Sequence, residues 1–220
     1  NYVHFNGLNS RIKKDKLTLV SAYSVPKQNR FFNPFDYKTY SEAQFISTEE
    51  PIEGSDKIKE SIAMVFAYKY IPADPGKYYL YSPDSEEAQE FCDKNGIRGY
   101  NREEMKSCVF YRIEGGGGYE LDEAIEAAQD NNEKAKLINE RNNLDWEYFD
   151  EYINDDYLST LDFSNATNAL QLKGGFYAFK TFDNRKGIIW VNYLNNFNNP
   201  IPITIRRYIF QAVSTENGNN

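Results

Sequence analysis

Apolar and polar positions alternate along several short segments of this chain, and these segments are rich in β-branched and aromatic residues. Such a pattern is typical of β-strands. It predicts strands over residues 18–25, 43–47, 77–82, 107–113, 175–182, 187–194 and 202–213. The polar segment from Asp183 to Lys186 separates two of these strands and has the length of a hairpin turn. We therefore predict an antiparallel β-meander in the C-terminal third of the chain.

Other segments show the spacing of amphipathic helices. The predicted helices cover residues 55–71, 121–141 and 146–157. Ser55 and Asp56 supply capping side chains for the first helix, which is expected to end before Pro72. Its apolar stripe consists of Ile58, Ile62, Val65, Phe66 and Tyr70. In the third helix the apolar residues lie three, four and four positions apart: Trp146, Phe149, Ile153 and Tyr157.

The irregular order of strands and helices, followed by a meander, indicates the fold class. We predict an α+β fold with mixed, mainly antiparallel sheets and about three helices, rather than a doubly wound sheet. The length of 220 residues fits one domain, residues 1–220, with residues 114–160 as a possible helical elaboration. The four glycines from Gly115 to Gly118 are expected to form a flexible connector, because no Lys-Ser or Lys-Thr follows them as in a phosphate-binding loop.

Charge and composition narrow the possible partners and the location. The chain has 33 acidic and 25 basic residues and a formal net charge of −8, so nucleic acid is not an expected partner. No apolar stretch approaches the length of a membrane span. The chain begins with Asn1 rather than Met, which fits the removal of an upstream segment. A processed signal sequence would favour a secreted protein, whereas a piece of a longer chain would say nothing about the location. Cys92 and Cys108 leave two alternatives open, one disulfide or two free thiols.

The types of residue present limit the chemistry. His4 is the only histidine, so neither a Ser-His-Asp triad nor a zinc site of Cys and His ligands is expected. The acidic residues between 145 and 156 lack the glycine and glutamate pattern of an EF-hand, and they are expected to form a solvated helix face. Carboxylates, hydroxyls, arginines and aromatic rings remain. This set suits cleavage of a glycosidic or N-glycosidic bond, in which a carboxylate stabilises an oxocarbenium-like centre.

One segment resembles a known family. The sequence "FIST" (residues 45–48), followed by a predicted helix and the strand "KYYLYS", resembles the Ser-Thr-Ser motif region of bacterial ADP-ribosyltransferase toxins of the pertussis and cholera type. The resemblance covers about residues 43–81, and Glu49 stands where the family has its second Ser. It implies a cleft that binds NAD, in which Ser47 orients the catalytic Glu and Thr48 belongs to the cofactor-binding residues.

The resemblance also assigns residues outside that segment. It implies that Arg11 reaches the phosphates of NAD and that Glu147 is the catalytic carboxylate, with the pair Glu103 and Glu104 as an alternative. Where the family has its NAD-binding Arg, this chain has Asn6, and an amide cannot replace a guanidinium that pairs with a phosphate through two hydrogen bonds. The implied activity is cleavage of the nicotinamide N-glycosidic bond of NAD and transfer of ADP-ribose, with a protein target or a partner subunit.

Two other functions remain open. The 18 Tyr and 15 Phe suit a non-catalytic exported binding module for a carbohydrate or protein ligand. The net charge of −8 suits an acidic inhibitor that masks a basic partner. The position of Glu147 distinguishes the enzyme from the binding module. An enzyme requires a Glu and an Arg close to Ser47 in a concave pocket, whereas a binding module is expected to carry Glu147 on an outward helix face.

Overall fold

The structure is a computed structural model, and it describes residues 12–18, 30–35, 38–41, 55–71, 74–97, 99–193 and 202–209. The described α-helices are α1 (Ser55–Ser61), α2 (Glu86–Lys94), α3 (Asp122–Ala127), α4 (Asn131–Tyr152) and α5 (Asp155–Ser159). The described strands are β1 (Ile12–Thr18), β2 (Phe31–Asn33), β3 (Lys38–Tyr40), β4 (Met64–Ile71), β5 (Asp74–Tyr81), β6 (Cys108–Arg112), β7 (Ala169–Leu172), β8 (Gly175–Thr181), β9 (Lys186–Val191) and β10 (Pro202–Ile209).

These strands form two five-stranded sheets. The meander sheet has the order β1-β10-β9-β8-β6, and the second sheet has the order β3-β2-β4-β5-β7. The pairings between the described strands are antiparallel throughout. Strands β8, β9 and β10 follow one another in the chain and lie side by side in the sheet, so the predicted C-terminal meander is confirmed. The predicted α+β class with mainly antiparallel sheets is confirmed as well.

Successive residues of β8 belong to different layers of the core. Tyr177 lies in a buried cluster that also contains Leu80 of β5, so this cluster fills the space between the two sheets. The next residue, Ala178, lies in a second cluster together with Phe149 of α4. Since side chains alternate between the two faces of a strand, the meander sheet is covered by the second sheet on one face and by helices on the other.

The second sheet is covered on both faces in the same way. Val65 of β4 lies in a third cluster with Ala88 and Phe91 of α2. Its neighbour Phe66 faces the meander sheet. The layers of the described part therefore follow the order α4 and α5, meander sheet, second sheet, α1 and α2.

The first predicted helix is wrong beyond Ser61. Helix α1 ends there, and β4 begins at Met64. Residues 64 to 67 alternate between the cluster that separates the sheets and the cluster under α2. Because both faces of β4 are buried in this stretch, its sequence shows a continuous apolar run instead of alternation, and such a run cannot be distinguished from a buried helix by periodicity.

The boundaries of the other two predicted helices are also wrong. Helix α3 ends at Ala127, and α4 begins after Asp130, whose carboxylate accepts hydrogen bonds from the backbone N–H groups of Asn132 at 3.0 Å and Glu133 at 2.9 Å. This N-cap starts a new helix inside the range 121–141. Helix α4 then continues to Tyr152, so the predicted third helix is divided between α4 and α5.

The predicted strands agree better with the structure. Strands β5, β6, β8, β9 and β10 correspond to predictions over residues 77–82, 107–113, 175–182, 187–194 and 202–213. The prediction over residues 18–25 meets the described part only at Thr18, and the one over residues 43–47 lies outside it. The short strands β2, β3 and β7 are not predicted. The single domain stays a prediction, although one buried cluster joins residues from Phe32 to Val191.

Both cysteines are buried thiols. Cys108 lies in the cluster between the sheets, and Cys92 lies in the cluster under α2. The second sheet therefore lies between the two thiols. Of the two alternatives that the sequence leaves open, the structure has the pair of thiols.

Candidate functional site: a cleft at the sheet crossover

Three of the four residues assigned by the toxin resemblance, Ser47, Thr48 and Arg11, lie outside the described residues. The fourth, Glu147, is an exposed residue of helix α4. The alternative pair, Glu103 and Glu104, is exposed in a 3₁₀ helix.

The carboxylate of Glu104 forms an ion pair with Lys59. Lys59 Nζ lies 2.7 Å from this carboxylate. None of these three glutamates lines the cleft described next.

The chain passes from one sheet to the other within two residues. Strand β7 ends at Leu172 and β8 begins at Gly175, so Lys173 and Gly174 form the link, which we call the crossover. On one side of it Leu172 pairs with Tyr78 of β5 in the second sheet. On the other side β8 continues next to β9 in the meander sheet. The crossover therefore joins the two sheets at one corner of the fold.

A cleft with a volume of about 250 Å³ lies over the crossover. We call it the crossover cleft. Its charged and polar lining residues come from β5, β7, the crossover, α3, α4 and the segment after β9: Lys77, Tyr78, Glu126, Lys134, Gln171, Lys173 and Tyr193. Among the described lining residues there are thus three lysines and one glutamate, in a chain whose formal net charge is −8. The cleft is a basic site on an acidic protein.

The cations of the cleft differ in their pairing. Lys173 Nζ donates to Glu126 at 2.5 Å, and 42% and 56% of the two side chains are exposed. The side chain of Lys134 forms no hydrogen bond or ion pair with the residues that the structure describes. An exposed ion pair contributes little free energy, so the pair of Lys173 and Glu126 can open at little cost.

The backbone of the crossover is held from below. Arg112 Nη2 donates to the carbonyl oxygen of Gly174 at 2.7 Å. The hydroxyl of Tyr177 accepts a hydrogen bond from the N–H of Lys173 at 2.6 Å and donates to the carbonyl oxygen of the same residue at 2.8 Å. Burial raises the pKa of Tyr177 to about 12, which keeps its proton in place for donation at neutral pH. A Cβ on Gly174 would collide with Cα of Tyr193.

The arginine that holds Gly174 belongs to a chain of ion pairs. Asp122 accepts from Arg112 Nη2 at 2.6 Å and from Arg141 Nε at 2.5 Å. Burial acts to raise the pKa of Asp122, but the hydrogen bonds from Arg141 and Arg112 outweigh it and hold that pKa below its ordinary value. Asp122 therefore stays ionised and connects strand β6 with helix α4.

The chain of ion pairs ends at a fully buried carboxylate. Asp145 accepts hydrogen bonds from Arg141 one turn earlier in α4, from the N–H of Gly118 at 2.8 Å and from Nε1 of Trp190 at 3.1 Å. Burial raises the pKa of Asp145, and these three donors act in the opposite direction. Each oxygen of the carboxylate thus has a donor, as a buried charge requires.

Three of the four glycines, Gly116, Gly117 and Gly118, pack closely against α4, unlike the flexible connector that the sequence predicts. Gly115, Gly116 and Gly117 have φ values of 88°, 78° and 55°, a region that favours glycine. A Cβ on Gly116 would lie 2.5 Å from the Tyr148 ring, and a Cβ on Gly118 would lie 2.7 Å from Cα of Arg141. These glycines allow the chain between β6 and α3 to lie directly on helix α4.

A signal for the buried ion pair was present in the sequence. Arg141, Asp145 and Phe149 follow Ile138 at intervals of three, four and four residues, so they continue the apolar stripe of the helix. All four side chains are buried. An Arg and an Asp one turn apart at inward positions of an amphipathic helix therefore indicate a buried pair.

Comparisons with protein-family models, with curated proteins and with solved structures found no match for this chain. Within the described ranges, none of the helices is both long and apolar enough to cross a membrane. The same part of the chain contains no group of three or more His, Cys, Asp or Glu residues arranged to hold a metal ion.

Proposed function

We propose that the protein is a non-catalytic binding module and that the crossover cleft is its ligand site. The observation that carries this proposal is the support beneath the cleft. Arg112 and Tyr177 bind both residues of the crossover, and the ion pairs behind Arg112 connect it with α4. A concave site on fixed backbone, with a few polar groups directed at it, is typical of ligand sites.

The position of Glu147 supports this proposal over the enzyme. It lies on the outward face of α4, as a binding module was expected to place it. Cleavage of NAD by an ADP-ribosyltransferase stays a separate prediction, because Ser47, Thr48 and Arg11 lie outside the described residues. An experiment on the binding module must therefore measure NAD chemistry too.

The proposal is tested by following backbone amide signals of the ¹⁵N-labelled chain while single probes are added. The probes are methyl glucoside, N-acetylglucosamine, glucuronate and NAD. We expect saturable shifts at Gly174 and Tyr193 with at least one of the sugars, and no release of nicotinamide from NAD. Absence of saturable shifts at the crossover with every probe would overturn the proposal, and so would nicotinamide release that Glu147→Gln abolishes.

A further inference from the structure

We propose that the crossover cleft binds a ligand the size of one sugar ring that carries an anionic group, so that the ligand class is an acidic sugar. This inference rests on the proposed binding function and narrows it.

The charge of the cleft is opposite in sign to the net charge of the chain. Lys77, Lys134 and Lys173 line the same small volume, and Glu126 is the acidic residue among the lining. A cleft lined mainly by one sign of charge concentrates the field and attracts ligands of the opposite sign. On a chain with a net charge of −8, an anion is attracted to this location while the overall charge repels it elsewhere.

The uncharged lining residues suit a sugar ring. Tyr193 contributes an aromatic ring, Gln171 contributes an amide, and Leu172 adds apolar surface. An amide both donates and accepts hydrogen bonds, as hydroxyl groups of a sugar require, and a tyrosine ring offers an apolar face with a polar tip. The volume of about 250 Å³ lies below the range of roughly 300–1,000 Å³ for drug-sized ligands, so one ring fits better than a larger molecule.

Tyr193 is fixed before a ligand arrives. Its backbone N–H donates to Asn142 Oδ1 at 2.7 Å, and the guanidinium of Arg141 lies 5.5 Å from the centre of its ring. Arg141 in turn is held by Asp122 and Asp145. Because the ring is preorganised by the buried ion pairs, little entropy is lost when a ligand binds against it.

Glu126 competes with an acidic ligand for Lys173. Its carboxylate pairs with Lys173 Nζ at 2.5 Å, and Lys173 is a cation with which the anionic group of a ligand would pair. An acidic ligand therefore competes with Glu126 for Lys173, whereas a neutral ligand does not. Removing the charge of Glu126 should strengthen the binding of acidic ligands more than that of neutral ones.

The experiment uses two charge changes with opposite expected effects. Affinities of methyl glucuronate, glucose 6-sulfate and methyl glucoside are measured for the wild type, for Lys134→Gln and for Glu126→Gln. We expect both acidic probes to bind more tightly than the neutral probe. Lys134→Gln should weaken the acidic probes about fivefold and Glu126→Gln should tighten them by a similar factor, as expected for one charge at contact distance in water. Both variants should change the affinity for methyl glucoside less than they change the affinities for the acidic probes.

Matched controls lie on the same helices outside the cleft. Lys136→Gln and Glu123→Gln make the same charge changes at exposed positions of α4 and α3, and they should leave all affinities unchanged. Equal binding of neutral and acidic probes, with no effect of Lys134→Gln or Glu126→Gln, would overturn the acidic-sugar inference and leave the binding module intact. Failure of every probe, methyl glucoside included, would overturn the binding module itself. The ratio of the two acidic affinities distinguishes a carboxylate ligand from a sulfate ligand.

Discussion

The N–H of Gly118 donates a hydrogen bond of 2.8 Å to Oδ1 of Asp145. A glycine before α3 thus provides a donor for a carboxylate on the buried face of α4. The two residues are 27 positions apart in the chain. The contact is possible because Gly118 has no side chain. A Cβ at this position would lie 2.5 Å from Cγ and 2.7 Å from Cα of Arg141.

We predict that Gly118→Ala destabilises the protein by about 3 kcal/mol, because the new methyl group meets helix backbone and pushes Gly118 away from a buried charge. Chemical unfolding measures the loss. The control is Gly115→Ala, where φ is 88° and no atom lies within 4 Å of the new Cβ. That control should cost only the backbone strain, about 1 kcal/mol. Equal losses in both variants would show that the contact with α4 is unimportant.

The buried pair of Arg141 and Asp145 should behave as a unit. We predict that Arg141→Met costs about 4 kcal/mol, because it leaves a buried carboxylate without its cation. The double variant Arg141→Met/Asp145→Leu should cost less than the sum of its single variants, since it removes both charges together. A double-mutant cycle by urea unfolding measures this coupling.

An exposed pair with the same spacing serves as the control for that cycle. Lys94 Nζ lies 3.3 Å from the carboxylate of Glu90, one turn away, and 73% and 54% of the two side chains are exposed. Lys94→Met should change the free energy of unfolding little. Strict additivity for Arg141 and Asp145 would contradict the prediction.

Acid should weaken the link between β6 and α4 through Asp122. Its pKa in the folded chain lies below the ordinary value of 3.8, so its contribution to stability is present above that value and is lost as the pH falls through the folded pKa. Asp122→Asn should therefore destabilise the protein near neutral pH, and the difference from wild type should shrink as the pH falls through the folded pKa of Asp122, below 3.8.

Urea unfolding at several pH values tests this expectation for Asp122. Glu123→Gln, an exposed change at the next position, should have little effect at any pH. A difference between Asp122→Asn and wild type that is the same in acid and at neutral pH would contradict the assignment of the ionised form.

The cysteines provide a test of the layered core. Both thiols are buried, and burial raises the pKa of Cys108 well above its usual range. We predict no reaction with a thiol reagent such as dithionitrobenzoate in the native protein, because the reactive species is an accessible thiolate. On unfolding without reductant, both thiols should react. An unfolded chain that reacts only after treatment with dithiothreitol would show that the cysteines form a disulfide.

The elements that sequence reasoning predicted correctly are those with a clear local signal. Strands β8 and β9 are separated by a polar hairpin segment, in which Asn184 adopts a φ of 61°. Strand β4 has no such signal, because both of its faces are buried over residues 64–67 and its sequence there resembles a buried helix. The end of α3 was missed although Asp130 is a good N-cap residue, because the apolar spacing continued past it.

Local sequence patterns do not predict the crossover cleft. Its lysines come from β5, α4 and the crossover, which are distant in the sequence and become neighbours only when the two sheets meet. Nothing in the residues around Lys77 or Lys134 indicates that they share a site. The buried pair of Arg141 and Asp145 was predictable in principle, since both residues continue an apolar stripe.

The crossover is only two residues long, and this length sets a fixed dimension in the fold. A covalent link of Lys173 and Gly174 can span only a short distance, so the two sheets cannot separate at this corner without breaking the pairing of β7 or β8. The separation of β7 and β8 at the crossover is therefore limited by chain length more than by side-chain packing. For the ligand proposed above, substitutions of the lining side chains should change which charge is accepted before they change which size is accepted.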